Sequence, residues 1–449
     1  MDSSVDDYRV IADKLAAEVT AGRLRPGDRL PPQRRFARRH GIASSTAARV
    51  YGELVRRGLA VGEVGRGTFI RAAQPPLDPA LAEPSGARVD LELNFAVLPE
   101  QPALLSASLG RLLRADVLGD ALQPLGVTGT KAAREATAST LAHAGWEPEP
   151  DRISFAGNGR QAIAGAIAAL VPIGERLGVE ALTYPVVKGI AARLGVTLVP
   201  IEMDQDGLSP RSLAAVHRAT PLRAVYLQPT LHNPLAVTMP EARRRELAET
   251  VEVLDLPVIE DHIYAFLYDD VPPLAAFAPE RTVLVDSLSK RLAPGLTLGF
   301  AVSPRAFGDR VAAATRSGAW SAPGFAVEAA TCWMSDGTAS TIAEGKRRDA
   351  AARQRIVAER LGEFALRTDP RAYHCWWQLP DHWRAETFVG AAARRGIAVT
   401  PAAAFTIGNG HAPNAVRMAL SSPSLETLAA ALDVLAGIAR GTPEDAAVD

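Results

Sequence analysis

Cysteine is nearly absent from this chain: Cys332 and Cys375 are the two among 449 residues. That number builds neither a disulfide scaffold nor a zinc site, and it fits a reducing compartment. Lysine is scarce too. Of 49 basic residues only Lys14, Lys131, Lys188, Lys290 and Lys346 are lysines, so chemistry that needs an amine has few places to reside. Long apolar runs are missing as well: the longest nearly uncharged one, Ala162 to Gly174, is shorter than the ~18 residues that span a bilayer. The acidic start, with Asp2, Asp6 and Asp7, is unlike a signal peptide. A cytoplasmic protein without a membrane partner is the expectation. No self-similarity is apparent at periods of about 20 to 50 residues, the mark of solenoids and propellers. What is present is an ordinary globular balance, 47% apolar and 22% charged, which excludes a mostly disordered or collagen-like chain. The length exceeds one ordinary core, so two or three domains are expected.

The net charge of -1 conceals an asymmetry: residues 1–75 hold 14 Lys+Arg against 8 Asp+Glu, or +6, which leaves -7 for the rest. The basic end is a separate object. Between the two lie Pro75, Pro76, Pro79, Pro84 and Gly86, a composition that packs poorly and favours extended backbone, so 72–88 reads as a linker. The expected domains are 1–71 and 89–449, the second divided into a large part at about 89–315 and a small part at about 316–440.

Tyr8 to Ala21 carries Val10, Ile11, Leu15 and Val19 at helical spacing and stops at Gly22. After the turn Leu24-Arg25-Pro26-Gly27, a second helix is predicted over Gln33 to His40 past Pro31-Pro32, ended by Gly41, and a third from about Ser45 to Arg57. Two short helices across a glycine turn form a helix-turn-helix pattern. Leu59 to Glu63 and Gly67 to Ile70 flank Val64-Gly65-Arg66, which predicts a hairpin wing with arginine at its tip. The run Leu30-Pro31-Pro32-Gln33-Arg34, then Thr46, Tyr51, Leu54, Gly58-Leu59 and Gly65-Arg66-Gly67-Thr68-Phe69-Ile70 resembles the winged helix-turn-helix of GntR-type transcription regulators over nearly all of residues 8–71. The resemblance implies binding of double-stranded DNA through Arg34, Ser44, Thr46, Arg49 and Arg66. Arginine suits phosphate and guanine edges because its planar fork donates in pairs. Where the family usually has Ser-Arg, this chain has Ala43-Ser44. An isolated basic helix is more often a solvated face; it is the ordered set of helices, turn and wing that points to DNA.

From about Arg88 onward helical stretches alternate with short apolar runs: Leu222 to Leu227, Pro257 to Glu260, Thr282 to Val285 and Gly299 to Val302. Alternating βα units imply an α/β fold whose sheet is largely parallel, with ligands beyond the carboxyl ends of its strands. The polar residues fall at those ends. The first run empties into Gln228-Pro229-Thr230-Leu231-His232-Asn233-Pro234, the second reaches Asp261 with Tyr264 three residues on, and the third leads to Asp286-Ser287-Leu288-Ser289-Lys290. Asn233 and Asp261 are 28 residues apart, and Asp261 and Lys290 are 29, each about one strand-helix-strand repeat.

A pyridoxal 5'-phosphate site needs this set: a lysine for the Schiff base, a carboxylate that keeps the pyridine nitrogen protonated, and donors to the ring's phenolic oxygen. Lys290, Asp261, and the pair Asn233 with Tyr264 match those roles. Ser287-x-x-Lys290 also matches a serine-nucleophile motif, but the Lys-Thr-Gly that motif requires later in the chain is missing. These residues, with Leu292, Pro294-Gly295-Leu296 and Gly299, resemble fold type I aminotransferases over about residues 90–440. The resemblance extends to Asn158-Gly159-Arg160-Gln161-Ala162 at a predicted helix N-terminus, a place where free N–H groups hold phosphate. It implies a cofactor site of Asn158, Gly159, Arg160, Tyr184, Asn233, Asp261, Tyr264, Ser287 and Lys290, with Tyr184 stacked on the cofactor ring and Lys290 as the catalytic residue. Arg417 stands where the family clamps the substrate carboxylate, a bidentate task suited to guanidinium. Two positions depart from the family. Thr297 replaces the usual phosphate-binding arginine, and Pro124 falls where a tyrosine is presented to the neighbouring subunit's phosphate. A GntR-like winged helix joined to an aminotransferase-like domain is similar to the MocR-type regulators. That resemblance implies a homodimer that senses pyridoxal phosphate and an amine or amino-acid effector and rarely completes transamination. The alternatives are a working aminotransferase with a vestigial DNA module and a DNA-binding scaffold that has lost the cofactor.

Overall fold

The computed structural model describes residues 5–20, 23–24, 28–57, 59–63, 67–70, 87–115, 118–119, 122, 125–408 and 412–443. The basic end folds into α1 (Val5–Thr20), α2 (Gln33–His40), α3 (Ser44–Arg56) and an antiparallel pair, β1 (Ala60–Glu63) with β2 (Gly67–Ile70). α1 begins three residues ahead of Tyr8, where the apolar periodicity starts. Gly41 takes φ of 65° and closes α2 through its N–H to the Ala37 carbonyl, as glycine does where the chain must turn left-handed. Tyr8, Phe36, Val50, Tyr51, Leu54 and Ile70 form the small core, which fixes α3 against α1 and α2. The Tyr51 hydroxyl donates to the Pro31 carbonyl at 2.5 Å, and burial pushes its pKa up to about 12. Most of the expected linker, and the wing tip Val64 to Arg66, lie outside the described residues.

The large sheet has seven strands. In chain order they are β3 (Ile153–Ala156), β4 (Arg176–Glu180), β5 (Thr197–Ile201), β6 (Ala224–Leu227), β7 (Val258–Asp261), β8 (Thr282–Ser287) and β9 (Gly299–Val302). In space they run β3-β9-β8-β7-β6-β4-β5. β5, β4, β6, β7 and β8 pair in parallel, and β9 alone runs antiparallel, to both β8 and β3. The exception has a simple cause. A parallel return needs a crossover of about a dozen residues or more, normally a helix, and the connection from Ser287 to Gly299 holds only the turn Leu288–Arg291 and a short loop. The strands are apolar nearly throughout, with β6, β7, β8 and β9 fully buried, as expected where helices cover both faces.

The C-terminal part is a second layer. A four-stranded sheet (Leu366–Arg367, His374–Gln378, Ala415–Ala419, Thr400–Pro401, in spatial order) packs on helices Thr338–Leu361 and Leu425–Arg440. Its core gathers Trp377, Trp383, Phe388, Met418 and Leu432. The segment Val89–Asp90 pairs in parallel with Ile397–Ala398, so the chain just past the expected linker is joined to the C-terminal part. Asp13 of α1 bonds Arg57, just past α3, at 2.7 Å and Arg384 of the C-terminal part at 3.1 Å, which makes one carboxylate a contact between the two domains. Among the described residues no helix is long and apolar enough to cross a membrane.

β9 also presses on the loop after β3. A Cβ added to Gly299 would lie 2.2 Å from the Asn158 carbonyl oxygen and 2.4 Å from its carbon, and backbone cannot swing aside as a side chain does. Gly299→Ala should therefore cost about 1–3 kcal/mol, the range for overpacking a filled interior, and shift Asn158 away from β9. Urea denaturation measures the first effect; unchanged stability would show that the contact relaxes freely.

Candidate functional site

In the N-terminal domain Arg34, Ser44 and Arg49 are exposed and Thr46 is half-buried, on α2 and the first turns of α3. Arg49 lies over the Tyr8 ring at 4.6 Å, so part of its charge is spent within the domain. Arg34, Arg35, Arg38 and Arg39 are exposed and, among the described residues, form no ion pair. Four uncompensated guanidinium groups on two turns of helix are an electrostatic footprint for polyanions. Arg66 lies outside the described residues.

In the C-terminal domain the parallel registers pair Glu260 with Leu227 and Asp261 with Val285, so β6, β7 and β8 end side by side at one sheet edge. A cavity of about 700 Å³ opens there. Its wall includes every cofactor and effector residue named from the sequence.

Lys290 sits on the single helical turn that follows β8. Ser287 caps this turn, its Oγ accepting from Ser289 N at 3.2 Å. Lys346, fully buried, donates to the Lys290 carbonyl at 2.8 Å and to the Leu292 carbonyl, which Gln101 also meets at 3.0 Å. The backbone of the turn is thereby held from below. The Lys290 amine donates to the Asn94 carbonyl and lies 3.4 Å from the Phe95 ring centroid. Burial, and next the charges of Arg160, Arg417 and Lys346, hold its pKa well below the usual lysine range. A lysine so depressed is biased toward the neutral, nucleophilic amine.

Asp261, 4% exposed, is fixed by three donors: Tyr226 Oη at 2.6 Å and Gln228 Nε2 at 2.8 Å on one oxygen, Ile263 N at 3.2 Å on the other. Burial raises its pKa and these hydrogen bonds pull the other way. Tyr264 accepts from Asn94 Nδ2 at 3.0 Å, and burial pushes its phenol up. Asn233 is buried with Oδ1 unpartnered. Asn158 caps helix Gly159–Leu170, its Oδ1 accepting from Gln161 N at 3.0 Å; burial raises the Tyr184 phenol's pKa and the nearby Arg160 charge pulls it down. Arg417 is clamped by the Glu92 carbonyl at 2.9 Å and Thr400 Oγ1 at 3.2 Å.

Several residues here escaped sequence reasoning. Asn94 and Glu92 come from the start of the domain, and Asn94 meets Tyr264 across 170 residues, a distance no local spacing announces. Lys346 was one of only five lysines, yet nothing in the helix around it marks it. Gln228 opened the quoted run after β6 and Tyr226 lay within that strand, but neither was given a role. Thr297 makes a hydroxyl chain instead of an ion pair: Ser287 Oγ to Ser289 Oγ at 3.0 Å, then Ser289 Oγ to Thr297 Oγ1 at 2.6 Å. Pro124 lies outside the described residues.

The two halves define a class, a helix-turn-helix domain fused to an aminotransferase fold. Residues 7–70 match the family "Bacterial regulatory proteins, gntR family", and residues 114–435 match "Aminotransferase class I and II". The chain is 30% identical over 434 residues to the uncharacterized HTH-type transcriptional regulator YdeF of Bacillus subtilis, covering 95% of this chain and 93% of that one. To the vitamin B6 salvage pathway transcriptional repressor PtsJ of Salmonella typhimurium it is 25% identical over 430 residues, covering 94% and 96%. The structure of Pyrococcus horikoshii kynurenine aminotransferase superposes with a TM-score of 0.72 at 22% identity, over 83% of this chain and 95% of that chain, which shows the fold. The chain belongs to the MocR-type GntR regulators, whose C-terminal domain is of the class I and II aminotransferase family.

Behind the site, His262 follows Asp261 into the interior. Both of its ring nitrogens lack hydrogen-bond partners, the Glu260 carboxylate being 3.8 Å away, and burial pulls its pKa down to about 4. The unfolded chain therefore takes up a proton near pH 6.5 that the folded chain refuses until about pH 4, so this group's contribution is intact above pH 6.5 and is lost as pH falls through that window. Asp286, raised to about 6 by burial, works in the opposite direction and cancels in a comparison of variants. His262→Phe should gain on the wild type by about 3 kcal/mol between pH 7 and pH 4. Urea melts at the two values measure it; a difference that does not change with pH contradicts it.

Proposed function

We propose that this chain is a pyridoxal-phosphate-responsive transcription regulator, a cytoplasmic homodimer. Its winged helix binds double-stranded DNA, and its aminotransferase-like domain senses the cofactor together with an amine or amino-acid effector. One observation carries the reading: an unpaired arginine face on a helix-turn-helix shares a chain with a cavity where a depressed lysine, a triply bonded carboxylate and an amide with an empty acceptor converge.

The residues fit pyridoxal 5'-phosphate. Asn233 Oδ1 and Asn94 Oδ1 are buried without partners, the mark of a site whose polar atoms await a ligand. A Cβ on Gly159 would lie 2.9 Å from Ser287 Oγ, so this glycine keeps open the approach to the helix N-terminus. When bound, the cofactor supplies a carbonyl carbon that takes up amines and a ring that acts as electron sink. Lys290 is the residue to hold it covalently. Asp261, held in place by hydrogen bonds from Tyr226 and Gln228, would serve the ring nitrogen; Asn233 and Tyr264 would serve the phenolic oxygen; Tyr184 would stack on the ring. The phosphate falls to the N–H groups of Gly159 and Arg160 at the helix N-terminus and to the hydroxyls of Ser287, Ser289 and Thr297, with the Arg160 guanidinium supplying the charge that Thr297 lacks. Arg417 takes a carboxylate of the effector.

Borohydride treatment of protein incubated with pyridoxal 5'-phosphate should fix the cofactor on Lys290, read by peptide mass mapping; label on another of the five lysines, or none, contradicts the assignment. Arg34→Ala should weaken DNA binding and reduce the slope of log K against log salt by about 0.9 for each phosphate that Arg34 neutralises. An unchanged slope places the DNA contact elsewhere.

A further inference from the structure

Two opposite charges stand unpaired in the wall of the Lys290 cavity. Arg417 is 7% exposed, yet its guanidinium meets only neutral acceptors, the Glu92 carbonyl and Thr400 Oγ1, and its Nε has no partner. Glu92 lines the same cavity, is half-buried, and among the described residues forms no ion pair. Its surroundings are of mixed sign: burial and the Asp90 carboxylate raise its pKa, and Arg417, too far for an ion pair, draws it down. Asp90 is committed to the backbone, its Oδ1 accepting from Glu92 N at 2.7 Å and Leu93 N at 3.0 Å. That bracket fixes the turn that presents residue 92.

A half-buried carboxylate without a counter-ion is costly, and so is a buried guanidinium without an anion. The chain offers neither group its partner, so a ligand carrying both charges relieves both. Lys290 marks the place of the reacting amine, Arg417 that of a carboxylate, and Glu92 adds a third point that a simple amine or a neutral amino acid leaves unused. We infer that the effector is an amino acid whose side chain ends in a second cationic group, and that Glu92 is the residue that selects it. The inference concerns recognition alone, and it rests on the reading that this cavity takes the cofactor and an amine.

The test uses full-length protein with pyridoxal 5'-phosphate and follows visible absorption as amino acids are added. L-ornithine and L-lysine are compared with L-norvaline and L-norleucine, which share their carbon skeletons and lack the terminal ammonium. A charge-assisted contact predicts half-saturation at about ten- to a hundredfold lower concentration for the charged member of at least one pair. Glu92→Gln should bring that ratio toward one. Equal half-saturation in both pairs, or a ratio that survives Glu92→Gln, overturns the inference while leaving the cofactor reading in place. No absorption change on adding pyridoxal 5'-phosphate itself overturns both. The comparison within the wild-type protein stands whether or not the variant folds.

Discussion

The parallel pairing of β6, β7 and β8 is the constraint on which the rest of this structure depends. Once Glu260 lies beside Leu227 and Asp261 beside Val285, the carboxyl ends of three buried strands must open at one level. Whatever follows each strand then shares one cavity. The apolar strands supply the driving force, since both faces are covered by helices. The polar residues just beyond them sit where backbone groups run out of sheet partners and can serve a ligand. β9, turned antiparallel by its short connection, seals the near side through the close contact of Gly299 with Asn158.

How far this was legible follows from how local each signal is. The helix-turn-helix could be read almost residue by residue because glycine stops, proline starts and apolar spacing act within a few positions, and α2 occupies Gln33–His40 as its spacing predicts. The strand ends that carry Asn233, Asp261 and Lys290 were legible because each follows its strand directly. The direction of β9 was not, because it depends on the length of a loop and not on the strand's own residues. The supports of the site were hidden too. Asn94 under Tyr264, Lys346 under the Lys290 turn and Glu92 beside Arg417 come from elements remote in sequence, and their roles exist only after the C-terminal layer docks on the sheet.

The same arrangement gives the proposed coupling of sensing to DNA a physical route. Arg417 and Arg384 belong to one C-terminal layer, and Arg384 reaches Asp13 of the winged-helix domain, which also holds Arg57 at the end of α3. Asp13 and Arg384 are each about one-third exposed, so the contact is worth at most about 1 kcal/mol. It suits a joint that shifts easily more than one that locks. On the proposed reading, an effector held between Lys290 and Arg417 would tie the large sheet to the layer that carries Arg384, and it would move the DNA-binding equilibrium only to the extent that it prefers one arrangement of those parts.

The central claim is that occupancy of the Lys290 cavity governs DNA binding. Fluorescence anisotropy of a labelled fragment from the protein's own upstream region, at one fixed salt concentration, tests it in four conditions: protein alone, with pyridoxal 5'-phosphate, with a diamino acid, and with both. The account predicts that the dissociation constant with both present differs from the other three, and that Lys290→Ala abolishes the difference. Equal dissociation constants in all four conditions would contradict it.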